Sequence, residues 1–277
     1  TFSRILARGK FRWDLGLNLS KFENEIHEIS GDEIITDFQG GSYISREGES
    51  LLNFYGYLYV GVFTTEQEAI DADLRNERGI PFGAGDARFV DLSGPEGVPD
   101  GHIDKFDKTL LGSPIPDLYG SAITSFTYGI YSLRGSIQFV TGNEVFNYLR
   151  SQNERMSDLS NQSSTVLKRW QYDGHETDIP RASWGDPSGN ATFSSRWIED
   201  GSYLRLKYLT LACRIPRKIL VFRDAEFFVT GVNLITLSNY LGYDPEFAVS
   251  YHTMEQGIDY GLMPITRKYM IGIKLGL

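Results

Sequence analysis

The stretch Phe11-Arg-Trp-Asp-Leu-Gly-Leu-Asn-Leu-Ser20 alternates strictly, with Phe11, Trp13, Leu15, Leu17 and Leu19 on one side and Arg12, Asp14, Asn18 and Ser20 on the other. A period of two is the signature of a β-strand with one apolar and one polar face. The pattern returns from Tyr131, where Tyr131, Leu133, Ile137 and Phe139 oppose Ser132, Arg134, Ser136 and Gln138. From Tyr203 it places Leu204, Leu206, Tyr208 and Ala212 against Arg205 and Lys207. The final stretch, Tyr269-Met-Ile-Gly-Ile-Lys-Leu-Gly-Leu277, sets Tyr269, Ile271, Ile273, Leu275 and Leu277 on one face.

Two environments select such strands. A soluble antiparallel sandwich buries the apolar face and wets the other. A transmembrane barrel turns the apolar face to lipid and the polar face to a wet lumen. Three features favour the barrel. Several strands reach nine or ten residues, above the usual run of about five or six and near what a tilted spanning strand requires. Tyr and Phe gather near strand ends, as an interfacial girdle places them. Long polar stretches, from about Thr64 to Gly120 and from about Gly142 to Ser202, separate the strands, and compact domains seldom carry such loops. Short helices are expected only inside them. Thr65-Glu-Gln-Glu68 reads as a capping box leading into a helix, and residues from Gly142 to Met156 carry Val145, Phe146, Tyr148 and Leu149 at near-helical spacing.

Composition narrows the function. The 277 residues hold 37 aromatics (16 Tyr, 17 Phe, 4 Trp) and 29 Gly, with a net charge of −9. That charge leaves no basic surplus for phosphates and argues against a nucleic-acid partner. Cys213 stands alone, which rules out an intrachain disulfide and a thiolate cluster. No apolar run has the length of a spanning helix, and the opening Thr1-Phe2-Ser3-Arg4 lacks an apolar signal-peptide core. His27, His102, His175 and His252 are scattered, no nucleophile or phosphate-binding motif occurs, and no catalytic residues are expected.

One loop is rich in oxygen ligands. Asp91, Ser93, Asp100-Gly-His-Ile-Asp104 and Asp107 resemble the two halves of a calcium loop, divided by an insertion from Gly94 to Pro99. The same residues suit turns closed by Asx hydrogen bonds. The expectation is that no cofactor is required, with structural Ca²⁺ at Asp91, Asp100, Asp104 and Asp107 as a candidate. Trp170, Tyr172 and Trp184 are the candidate rings for holding a carbohydrate by stacking.

Five stretches together resemble the C-terminal part of the SusC/RagA family of TonB-linked outer-membrane transporters. They are Arg46-Glu-Gly-Glu-Ser-Leu-Leu-Asn-Phe54 running on to Ala69; Gly85-Asp86 with Asp100 to Asp104 and Leu111-Gly-Ser-Pro-Ile-Pro-Asp-Leu-Tyr-Gly120; Arg169-Trp170 with Thr177-Asp-Ile-Pro-Arg181; Ser194-Ser-Arg-Trp-Ile-Glu-Asp to Lys207; and Gly231-Val-Asn-Leu234 with Tyr240-Leu-Gly-Tyr-Asp-Pro-Glu246. They keep the family's order across residues 1–277. The resemblance implies an all-β fold: an antiparallel transmembrane β-barrel segment, eight or so strands of a barrel of about 22, with long extracellular loops carrying short helices. It implies outer-membrane import of oligosaccharides or peptides, a SusD-like surface lipoprotein as partner, and coupling to the TonB complex through plug and N-terminal domains that this sequence lacks. The alternative is a soluble secreted β-sandwich that binds glycans.

Overall fold

The computed structural model describes residues 2–215, 224–247 and 255–276. In chain order, β1 (Phe2–Arg8) and β2 (Phe11–Lys21) form a hairpin, followed by β3 (Glu33–Phe38), β4 (Gly41–Arg46), β5 (Asn53–Tyr57) and β6 (Tyr59–Val62). Next come α1 (Glu66–Ala72), the short strands β7 (Arg75–Asn76), β8 (Ala87–Phe89) and β9 (His102–Ile103), and then β10 (Lys108–Gly112). A second hairpin, β11 (Leu118–Tyr128) and β12 (Tyr131–Thr141), leads to β13 (Glu144–Phe146), α2 (Tyr148–Glu154) and β14 (Ile198–Asp200). The chain closes with β15 (Tyr203–Ile215), β16 (Asp224–Ser238) and β17 (Lys268–Gly276).

Seven of these strands form one antiparallel sheet in the order β1-β2-β11-β12-β15-β16-β17. Its two ends differ. At one end β1 turns into β2 through Gly9-Lys10, and β11 into β12 through Gly129-Ile130; both glycines have positive φ, +61° and +60°, which L side chains rarely adopt. The Gly129 amide donates to Lys10 O at 3.1 Å, and the Arg214 amide to Ile130 O at 2.7 Å, so neighbouring turns are stitched together. At the other end leave the long connections, residues 22–117, 142–202 and 239–267.

The two faces of the sheet are as different as its ends. Register aligns Leu17, Ala122 and Ile137, and likewise Leu19, Gly120, Phe139, Leu204 and Leu237, on one side. Among the described residues nothing covers this side: Leu19 is 63 %, Tyr269 75 % and Ile271 85 % exposed. Phe11, Tyr128, Tyr131 and Phe227 lie in one row across it at the tight-turn end. Trp13 stacks on Phe126 with centroids 5.6 Å apart, its Nε1 donating to Thr124 Oγ1 at 2.9 Å. On the edge strand β1 the pattern breaks, for Arg4 and Arg8 share the side of Leu15 and Phe11; charges on an edge discourage stray pairing.

One expectation for β15 needs correction. Tyr208 and Ala212 do not join Leu204 and Leu206 on the apolar face. Lys207 is an extra residue against β12, between the pairs Ile137–Leu206 and Ser136–Tyr208, and a bulge of one residue exchanges the faces beyond it. Leu209 and Leu211 take the apolar side, while Ala212 is buried in register with Ser132 and Phe228.

The buried hydrophobic core lies outside this sheet, within the long connections. A four-stranded sheet, β10-β5-β4-β3, contributes Tyr43 and Phe54 to a cluster with Leu52, Phe146, Trp197 and Ile258. A neighbouring cluster joins Tyr57, Phe63, Phe82, Phe89 and Ile103 under α1. The capping box is half formed: Thr65 Oγ1 accepts from the Glu68 amide at 3.2 Å, but Glu68 Oε2 accepts from N and Oγ1 of Thr64, the residue before the cap, each at 2.8 Å. The helical spacing from Gly142 is only half realised. Val145 and Phe146 pair with β14 as strand, and the helix begins after Asn147, whose side chain accepts from Arg150 N. Trp197 is fully buried, with Nε1 donating to Thr192 O at 3.1 Å and the Arg196 guanidinium 4.4 Å from its ring centroid. Trp197→Ala is therefore expected to cost about 3–5 kcal/mol. Faster limited proteolysis within residues 142–202 is the measurement.

Candidate functional site

The connections converge on Asp86, whose carboxylate is fully buried. Arg181 grips it with two parallel bonds, Nε to Oδ1 at 2.8 Å and Nη2 to Oδ2 at 2.9 Å. Ser188 Oγ, Asn190 Nδ2 and the Gly83 amide each add a bond at 3.0 Å. Asn190 Oδ1 in turn accepts from Ala87 N at 2.7 Å. A buried charge is tolerated only when paired and hydrogen-bonded, and here the four donors from Arg181, Ser188 and Asn190 fix two distant loops to each other. Gly85 allows the approach: a Cβ there would lie 2.4 Å from Trp170 Cε3, and its φ is +81°.

That contact decides the role of the first candidate ring. Trp170 is partly buried against Gly85, with Nε1 donating to Thr64 O at 2.9 Å. Tyr172 and Trp184 are 63 % and 73 % exposed and offer free faces; Tyr172 stacks on His175 at 4.9 Å. The three candidates thus divide into one scaffold residue and two loop-tip aromatics.

In the Asp-rich loop the carboxylates meet backbone amides. Asp91 Oδ2 accepts from Gly101 N at 2.7 Å, Asp100 Oδ1 from His102 N at 3.0 Å, and Asp104 Oδ1 from Phe106 N at 2.9 Å. Asp107, fully buried, accepts from Leu92 and Ser93 on one oxygen and from Asp104 on the other. Burial raises the Asp107 carboxyl above its ordinary value, although these amides pull the other way. Among the described residues no three His, Cys, Asp or Glu side chains gather as a metal site. His252 and Leu277 lie outside the described residues.

Sequence reading did not single out two further sites. A cavity of about 340 Å³ has an apolar floor of Tyr57, Phe82 and Phe89 and a rim carrying Glu77 and Arg78. Burial, then nearby carboxylates, push the Tyr57 phenol up to about 12. A second cavity of the same volume opens between α2 and Leu241-Gly242-Tyr243. Beside it Arg150 reaches Glu199 Oε1 at 2.9 Å and Glu154 Oε2 at 3.3 Å. Residues so far apart in sequence give no local signal of either site.

An extended antiparallel sheet with an apolar face left uncovered by the described residues, tight turns at one end and a folded body at the other is the form that part of a β-barrel wall takes. The comparisons agree. No family model matches the sequence. Two TonB-dependent receptors of Formosa agariphila, P26 and P3, are 30 % and 27 % identical over 96 % and 99 % of the chain. The TonB-dependent receptor SusC of Bacteroides thetaiotaomicron is 24 % identical over 96 %. The RagAB peptide importer in its open-open state superposes on 99 % of the chain with a TM-score of 0.76 at 20 % identity. The chain is thus homologous along nearly its whole length to TonB-dependent receptors, SusC among them. It spans about a quarter of these relatives, 27 % of P3 and P26 and 24 % of SusC.

Removing the cation from Asp86 tests the clamp. Arg181→Met leaves a buried carboxylate short of its partner and is expected to cost about 3 kcal/mol, read as a lower melting temperature of the receptor. For the Asp-rich loop, melting curves in calcium and in chelator are expected to coincide. A rise with calcium would place a cation there.

Proposed function

We propose that this chain is the C-terminal wall of a TonB-dependent outer-membrane importer for nutrient oligomers, oligosaccharides or peptides, and that it carries no catalysis. The observation behind this reading is the exposed apolar face, bordered at the tight-turn end by Phe11, Tyr128, Tyr131 and Phe227. Phe11 and Leu19 are eight residues apart on β2, about 27 Å along a strand at about 3.4 Å per residue. With the strands tilted by about 40°, that becomes roughly 20 Å of height, most of the apolar band of such barrels. Lipid is a suitable solvent for this face, since the five strands between β1 and β17 are paired on both sides within the sheet.

The rest of the reading follows from the same frame. An open sheet has two edges, here β1 and β17, and lipid tolerates none. The remaining strands of a barrel of about 22, together with a plug and the segment that engages TonB, come from the part of the receptor outside this sequence. The long connections face the exterior, where a SusD-like lipoprotein delivers the cargo, and Tyr172 and Trp184 offer stacking surfaces for it. The likeness in fold to the RagAB peptide importer and the relation to SusC both support import. A secreted sandwich would cover its apolar face with a second sheet, and among the described residues that face is bare.

Leu206 lies on the apolar side between Ile137 and Ile235. Leu206→Arg places a charge on the apolar face level with Leu17, one row in from Leu19, where it costs less than the roughly 2–4 kcal/mol of a midplane Arg, so the amount of receptor in outer-membrane fractions should fall. Normal amounts of the variant in that membrane would contradict the assignment.

A further inference from the structure

Arg205 stands on the polar side of β15, in register with Gln138 and Thr236, where a wall residue would ordinarily meet water. It is buried instead. Residues 240–247, from the connection between β16 and β17, fold back across it. Arg205 Nη1 donates to Glu246 Oε2 at 2.8 Å, Nη2 bonds Asp244 Oδ1, and Nε donates to Thr236 Oγ1 at 2.9 Å. Lys207, the bulged residue, adds bonds to both Glu246 oxygens at 2.7 and 3.0 Å. A second cation thus stands beside the first, two residues along the strand.

Asp244 also closes the loop on itself. Its Oδ1 accepts from Glu246 N at 2.9 Å and its Oδ2 from Ile265 N at 3.0 Å, joining the outgoing and returning limbs. Burial opposes its charge, but Arg205 and these amides together hold the carboxyl below its ordinary value. Upstream, Leu241 N donates to Glu199 Oε2 at 2.8 Å and Tyr240 Oη to Asp259 Oδ2 at 2.6 Å. Two cations on the wall meet two carboxylates on the loop, and burial of the four together leaves no net charge. A connection of this length, without the clasp, would gain conformational freedom by leaving the wall.

We infer that residues 240–247 form a strap laid across the polar face of the wall, clasped by Arg205 and Lys207 through Asp244 and Glu246, and that it narrows the passage this face lines. The inference rests on the reading of the polar face as the lining of an import passage.

The test uses the full-length receptor with Cys213→Ser and spin labels on Tyr243→Cys, at the strap, and Arg134→Cys, on the polar face. A single narrow distance distribution is expected. Lys207→Gln combined with Glu246→Gln should broaden it toward longer distances, and uptake of a bulky antibiotic normally excluded should rise several-fold. An unchanged narrow distribution overturns the clasp. A broadened distribution with unchanged uptake overturns the narrowing. Recovery of the receptor in the aqueous fraction overturns the wall reading by itself, so the two failures are told apart.

Discussion

A sheet that turns its large side chains outward cannot be held together by its own chain. Burial of apolar area is the main force in folding, and along the seven-stranded sheet that area stays exposed. Everything else follows from this constraint. Strands must run long enough to match an external apolar layer, backbone groups must pair laterally, and water-soluble loops must leave from the ends. The tight glycine turns at one end and the long connections at the other are the outcome.

The connections obey the opposite rule. Their apolar residues converge inward, with Tyr43, Phe54, Phe146 and Trp197 almost without exposure, and their charges are paired across long sequence distances. The Asp86 clamp and the Arg205 clasp are alike in this respect: a buried charge in one segment fixes the position of another that arrives much later. Such pairs add little net stability against a well-packed apolar alternative but specify which loops meet.

How much of this the sequence disclosed depended on range. Local alternation in Phe11–Ser20 and Tyr131–Phe139 found β2 and β12 and their apolar sides, because the side-chain period is intrinsic to a strand. The Thr65–Glu68 box found α1 for the same reason, a bond spanning three residues. Failures began where a partner strand intervened. The bulge at Lys207 is set by pairing with β12, so extrapolating the alternation misplaced Tyr208 and Ala212. Val145 and Phe146 were drawn from helix into strand by pairing with β14. Asp86, Arg205 and the two cavities were illegible in the same sense, since their partners lie tens of residues away.

The separation of the hydrophobic core from the wall sets how this molecule can diversify. Leu159, Leu167 and Trp184, at the loop tips, are highly exposed, and the clamp and clusters beneath them do not depend on their identity. Substitution at the tips leaves both the exposed apolar rows of the sheet and the folded body beneath intact. One sheet can thereby carry many different tip surfaces while the architecture beneath them stays fixed.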